Sequence, residues 1–347
     1  MYTWTVMKAA VIVGKGSVEL RDFPNPKVGP EEVLVHMQTC GVCGTDLEKI
    51  AGEQITPPIL GHEVAGVVEK KGVNVRDIEV GERVIVHHHI ACGSCTYCKN
   101  GLETLCDEYP KSNLDPCGFA EYFRVPAALV KGGTIYRLPS NVSFEAGSQV
   151  EPTACCLRGL RKLNAPAGST VAVFGAGPVG LTHVQLLRLY GAGVIFVVET
   201  LENRRLQALR LGANIVLDPG MKVLQTVLKE TNNLGVDYAV VATGNPKALE
   251  SAVGVVRKGG HVLLFGAPAR GALLSLDISR LFLREITLQS SYSTSEVEMK
   301  IALDLIEQKR IDPTQMITHR LPLIKVLDAF RIAQRGQTAG KVIVENS

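Results

Sequence analysis

Apolar and polar positions follow two different rhythms along the 347 residues. Up to about residue 150, short apolar runs at 9–13, 32–37, 64–68 and 83–86 sit between turns rich in Gly and Pro. Runs of that length, bounded by turn residues, predict strands, and strands without regular helices between them predict a small barrel or sandwich. From about Gly168 strand and helix alternate. Apolar, β-branched runs at 171–174, 194–198, 214–217, 236–242, 261–266 and 286–289 are separated mostly by helical stretches. Six strands in that rhythm predict a doubly wound parallel sheet. The tail predicts helices at 297–308 and 324–334 and a last strand at 341–344. That strand is expected to return to the first domain, because a late strand needs a sheet to join. The predicted division is 1–150 with 290–347, and 151–289.

The first strand of the alternating part runs straight into Gly175-Ala176-Gly177-Pro178-Val179-Gly180 and then into a helix that Gly191 stops. Gly175 permits the tight turn. Gly177, lacking a Cβ, lets a pyrophosphate approach the helix N-terminus, and Gly180 lets helix and sheet pack closely. Glu199 closes the second strand 19 residues after Gly180, where a ribose-binding acid belongs. A bare glycine turn is often only a turn; with both strands, the helix and the acid in place the stretch predicts dinucleotide binding.

Composition narrows the classes. A hydrophobic content of 46% and a mean hydropathy of +0.15 support sizeable cores, and the length suggests two domains. A net charge of +3 without a basic run gives no reason to expect nucleic acid. No apolar segment reaches the ~18 residues of a membrane span, so a membrane is not an expected partner. Residues 1–10 lack a secretory apolar core, and Met7 offers an alternative start that would make 1–6 an added lead-in. Nine cysteines, four of them clustered, favour a reducing, cytoplasmic setting with bound metal over a disulfide framework.

Cys92, Cys95, Cys98 and Cys106 stand as C-x2-C-x2-C-x7-C. Four thiolates close a tetrahedron, which predicts a structural zinc around which a lobe poor in apolar residues folds. Cys43, in Gly41-Val42-Cys43-Gly44-Thr45-Asp46, and His62, in Gly61-His62-Glu63, are flanked by glycines between strands. Glu151-Pro152 follows just before the alternating part. Three protein ligands with one open position is what a catalytic zinc requires.

These motifs, spread over nearly the whole chain, resemble the zinc-dependent medium-chain alcohol dehydrogenase family, in the branch of sorbitol, threonine and sugar dehydrogenases. The resemblance implies a GroES-like β-barrel catalytic domain made from both chain ends and a Rossmann domain between them. It implies Cys43 and His62 as ligands of the catalytic zinc, Glu151 in the third place, and Glu63 beside them or as an exchangeable ligand. Asp46 would orient the imidazole of His62, and Thr45 would take the hydrogen bond of the substrate hydroxyl and begin a proton relay. Many relatives continue that relay with a histidine where this chain has Glu48, and often have glycine where it has Cys117. The implied activity is hydride transfer between a secondary alcohol (a polyol, sugar or related small polar alcohol) and NAD(P), with NAD favoured over NADP. The alternatives are L-threonine 3-dehydrogenase and a zinc- and nucleotide-binding protein without turnover. Two zincs per chain and a homotetramer, or failing that a homodimer, go with it.

Other residues have two readings. Glu199 would hold the ribose hydroxyls and repel a 2′-phosphate, whereas Arg204 and Arg205 would meet that phosphate or form a solvated first helical turn. Gly244 after Thr243, and Gly266, would leave room for the two halves of the cofactor. His87 and His89 share one face of a strand ending at His89, and would reach substrate or pack. Cys40, Cys155 and Cys156 read as core, with a place near the site as the second reading for one of the last two. His319 reads as structural. The hydroxyl-rich 290–295 would line a cleft or an oligomer contact.

Overall fold

The computed structural model describes residues 6–52, 60–336 and 340–346. Residues 1–5 of the proposed lead-in lie outside the described residues. The chain divides into two compact units, Met1–Ala154 with Thr294–Ser347, and Cys155–Ser293. In chain order the strands are β1 (Val6–Gly14), β2 (Ser17–Pro24), β3 (Val33–Gly41), β4 (Glu63–Lys71), β5 (Arg83–Val86), β6 (Tyr122–Val125), β7 (Ile135–Arg137), β8 (Thr170–Phe174), β9 (Val194–Val198), β10 (Ile215–Leu217), β11 (Val236–Val241), β12 (Val256–Leu264), β13 (Thr287–Ser290), β14 (Ile317–Pro322) and β15 (Lys341–Glu345).

In the first unit a sheet ordered β14-β15-β3-β4-β5-β7, with β6 also on β3, stands beside a β1–β2 ladder. Along β3, Val33, Val35 and Met37 are fully buried and the positions between them are not. That is the period of two expected when one face of a strand covers a core. Leu60, Phe119, Phe123, Phe330, Val342 and Val344 join the same core. The C-terminal strand β15 lies antiparallel to β3, with Ile343 opposite Gly41. This register carries Lys341, near the end of the chain, to the end of β3.

The second unit is a six-stranded sheet ordered β10-β9-β8-β11-β12-β13, and its ladders are all parallel. This is the doubly wound sheet expected from the alternating rhythm. Val171, Ala172 and Val173 on β8 and Ala239, Val240 and Val241 on β11 are fully buried, consecutive residues included. Strands covered on both faces therefore read as continuous apolar runs rather than as an alternation. Among the described residues no helix is long and apolar enough to cross a membrane.

Candidate metal centres and nucleotide site

After β3 the chain turns into the helix Gly44–Ala51, and Cys43 is its extended N-cap residue. Asp46, fully buried, sits at the third helical position. Its Oδ2 accepts from the Cys43 N–H at 3.0 Å and its Oδ1 from the Gly61 N–H at 2.8 Å. One carboxylate thus fastens the turn that bears Cys43 to the turn that bears His62. Gly61 is at φ +77°, and a Cβ there would lie 2.8 Å from the Phe119 backbone nitrogen and 2.9 Å from Cys40 Sγ, so no larger residue fits. Asp46 was expected to orient the His62 ring. Its Oδ1 stands 3.7 Å from His62 Nδ1, too far for a hydrogen bond, and it acts on the ring through charge while its hydrogen bonds fix the two backbones.

Cys43, His62 and Glu63 each bring a ligand atom within 4.8 Å of the others. His62 is buried and its Nδ1 has no hydrogen-bond partner. Burial alone would depress this imidazole, but the Cys43 thiolate and Asp46, with Glu151 behind them, carry its pKa to about 10. Anionic donors therefore crowd a buried point and favour positive charge there. A thiolate, an imidazole and a carboxylate are zinc donors, so the residues fit that metal. Glu63 forms a buried ion pair with Lys341. Burial would favour the neutral amine; the Glu63 carboxylate outweighs it and holds the Lys341 pKa above its ordinary value. Glu151, expected as third ligand, opens the helix Val150–Leu163 and is buried. Its charge reaches His62 and Lys341; the carboxylate within 4.8 Å of both Cys43 and His62 is that of Glu63. Thr45 and Glu48 are half-buried on the helix Gly44–Ala51, three residues apart and so on neighbouring positions of its surface.

Cys92, Cys95, Cys98 and Cys106 also lie within 4.8 Å of one another, with Sγ separations of 3.9 Å for Cys92–Cys98 and 3.5 Å for Cys95–Cys98. A tetrahedron of ~2.3 Å Zn–S bonds has edges of about 3.8 Å. No disulfide joins these cysteines. Cys92 Sγ accepts from the N–H groups of Ser94 and Cys95; with the Ser94 hydroxyl they draw its pKa down to about 6. Donors aimed at a sulfur stabilise thiolate, the form that binds metal.

In the second unit β8 ends at Gly175, φ +93°, and the helix Pro178–Leu189 begins. A Cβ on Gly180 would collide with the Gly175 carbonyl, while Gly177 has only Arg204 Nη1, at 3.8 Å, above it. The open backbone at the helix start suits a pyrophosphate, and its flanking residues Pro178 and Val179 form the first turn. Glu199 accepts from the Ala176 N–H at 2.7 Å, the Leu201 N–H at 3.0 Å and the Thr200 hydroxyl at 2.9 Å. Burial would raise its pKa; these donors, with Arg204, lower it. Arg204 Nη1 is 4.0 Å from the carboxylate. Arg205 instead donates from Nη1 to the Glu199 and Thr200 carbonyls. Gly266 and Gly244 were expected to leave room for cofactor. The space beside Gly266 is filled by the Thr243 backbone and that beside Gly244 by the Ala267 carbonyl, so both serve close packing of strand ends. We expect Glu199→Gln to weaken NADH binding about tenfold and to narrow the gap to NADPH, read by fluorescence titration; a hydrogen bond to a charged group contributes ~1.5–3 kcal/mol. Unchanged affinity for both nucleotides would remove Glu199 from the site.

The remaining positions sort plainly. Cys40 and Cys117 are buried thiols, the second pushed up to about 12 mainly by burial. Cys156 is buried against the Val179 carbonyl, at 3.7 Å, and Cys155 is half-buried. His319 bonds Thr318 Oγ1 at 2.9 Å. In the stretch 290–295, Ser295 caps the helix Glu296–Glu307 through Glu298. Two residues escaped the sequence reading. Lys341 showed only as a lone cation opening an apolar strand. His183, within the helix after the glycine turn, donates from Nδ1 to the Val179 carbonyl at 2.7 Å, and its Nε2 is buried without a partner.

A β-rich unit with two sulfur-bearing residue sets that fit zinc, and a parallel sheet entered through a glycine turn, together suit a zinc-dependent dehydrogenase. Residues 29–132 match the Alcohol dehydrogenase GroES-like domain family and residues 178–308 the Zinc-binding dehydrogenase family. The chain is 30% identical to a sorbitol dehydrogenase of Bacillus subtilis (strain 168), over 94% of this chain and 93% of that one. It is 31% identical to an L-threonine 3-dehydrogenase of Caldanaerobacter subterraneus subsp. tengcongensis, over 92% of each. A structure described as a zinc-binding dehydrogenase from Sinorhizobium meliloti 1021 bound to NADP superposes with a TM-score of 0.88 at 31% identity, covering 98% of this chain and 99% of that one. The chain belongs to the zinc-dependent medium-chain alcohol dehydrogenase family, an α/β oxidoreductase with GroES-like and Rossmann parts that uses zinc and NAD(P).

Proposed function

We propose that this chain oxidises a secondary hydroxyl of a polyol, sugar or related small polar alcohol, with NAD as the preferred acceptor. The observation that carries it is the buried convergence of Cys43, His62 and Glu63, with Glu151 and Lys341 in electrostatic reach. Zinc at that point would be held by Cys43 and His62 with a carboxylate, and supplies the Lewis acid that makes an alcohol proton labile near neutral pH. Nicotinamide accepts the hydride. The protein's part is placement. Asp46 holds both ligand turns, Lys341 neutralises Glu63, Thr45 accepts the substrate hydroxyl proton, and Glu48, the neighbouring carboxylate on the same helix, takes it onward. Glu199 binds the ribose hydroxyls over the open backbone of Gly177. Similarity to a threonine 3-dehydrogenase keeps threonine as the second reading. Absorbance of NADH and NADPH across sorbitol, xylitol, inositols, sugars and threonine tests both; turnover of threonine alone overturns the first, and turnover of none overturns both.

Nine cysteines with no disulfide among them favour residence in the cytoplasm. Self-association is supported by the helix Ile278–Leu283, which has no buried residue although Ile278, Phe282 and Leu283 are 75%, 80% and 73% exposed. Beside it β13 is an edge strand, and exposed apolar edges pair or aggregate. Phe282→Glu should reduce the solution mass to that of a smaller assembly in light scattering; an unaltered mass places the contact elsewhere.

A further inference from the structure

Beyond β5 the chain continues through His87, His88 and His89, all buried. The sequence puts His87 and His89 on one face, to reach substrate or to pack through hydrogen bonds, and both rings are held in packing bonds. Tyr109 donates its hydroxyl proton to the Thr294 carbonyl at 2.6 Å, so its oxygen accepts from His87 Nε2 at 3.2 Å. His89 donates from Nδ1 to the Ser112 carbonyl at 2.9 Å. Both tautomers are set by fixed partners. His88 differs. Its ring centre lies 4.8 Å from that of His62 and 3.8 Å from that of His89. The residue is 6% exposed, and its Nδ1 has no hydrogen-bond partner. A sealed, unsatisfied imidazole costs about 1–3 kcal/mol, and an apolar ring would fill the same stack without that cost.

We propose that His88 is a specificity-determining residue that hydrogen-bonds a second hydroxyl of the substrate, on the carbon next to the reacting one, and so selects vicinal polyols over monohydric alcohols. A hydroxyl both donates and accepts, which suits a ring whose tautomer nothing else sets. Its place beside His62 sets the recognised group next to the reacting one. A site built to pair a hydroxyl rejects an analogue lacking it far more strongly than an apolar pocket rejects a methylene.

This rests on the alcohol dehydrogenase reading, and the test separates the two. Wild type, His88→Phe and His88→Asn are compared in kcat/KM for sorbitol and for 2-propanol, with zinc content measured on each. We expect the sorbitol-to-2-propanol ratio to fall at least tenfold in His88→Phe, mainly through KM, and to recover in part in His88→Asn, whose amide restores a donor and an acceptor. A ratio within twofold of wild type in both variants, whatever the common loss, makes His88 a packing residue and overturns the proposal while leaving the enzyme class intact. A wild type that oxidises neither alcohol overturns it together with the reading it rests on. If His88→Phe fails to fold, His88→Leu takes its place: a ratio at least tenfold below wild type supports the proposal, and a ratio within twofold of wild type sinks it.

Discussion

Cys43→Ser is expected to leave one zinc per chain instead of two and to lower kcat on the order of 10³-fold or more, ~4 kcal/mol of transition-state stabilisation. The change is small in volume, and the N-cap backbone stays bonded to Asp46 Oδ2, so the turn should hold its shape. What is lost is a thiolate. The same thiolate is the largest of the charges that raise His62, which shows how strongly the site depends on it for negative potential. The four-cysteine lobe is separate in the chain and shares no residue with this set, so the zinc that remains should be the lobe's. Elemental analysis and initial rates on the same preparation check both halves. Two retained zincs with full turnover would dissolve the catalytic assignment. The companion variants Glu63→Ala and Glu151→Ala divide the carboxylate role. Ligand-atom convergence favours Glu63, but its charge is already matched by Lys341, whereas the family resemblance favours Glu151. The one whose loss removes the second zinc is the ligand.

The glycine turn, the four-cysteine spacing and the alternating strands could be read from the sequence because their signals are local. A turn that requires glycine, a thiolate spacing and a buried strand each leave a mark within a few residues. What the sequence hid is non-local or blurred by solvent. β2 carries Glu19, Arg21 and Asp22, has no buried residue of its own and lies in a two-stranded ladder, so no apolar run announces it. β12 starts at Val256, ahead of Gly259 and Gly260, and the glycine pair resembles a turn. Lys341 meets Glu63 only through the β15–β3 register. Asp46 lies 16 residues before His62 in the sequence, and only the folded chain shows its oxygens spent on two backbone N–H groups. The histidine run illustrates the limit best. Strand parity paired His87 with His89, but β5 ends at Val86, parity lapses there, and the middle ring is the one that faces His62.

The lobe supplies the other large effect. Cys106→Ser is expected to lower the metal content to one zinc, reduce Tm by about 10 °C and open a tryptic site at Lys99. Little but metal can hold this segment. The helix Thr96–Lys99 has no buried residue, and Tyr97, Leu102 and Leu105 are 46%, 37% and 49% exposed. Structural zinc in small motifs contributes ~10–16 kcal/mol at neutral pH, far more than so few apolar contacts supply. The loss is local, and in a unit of this size ~3–4 kcal/mol of it reaching the whole would move Tm by the stated amount. The damage should also travel. Tyr109 closes the lobe and bonds both His87 and the Thr294 carbonyl, and Ser112 sets the tautomer of His89. Unfolding the lobe therefore releases the partners on either side of His88, and turnover of a polyol should fall further than turnover of 2-propanol although no catalytic ligand has been touched. Unchanged cleavage at Lys99 in the variant would mean that the lobe stands without its metal, and an equal fall for both alcohols would mean that the histidine wall does not depend on it.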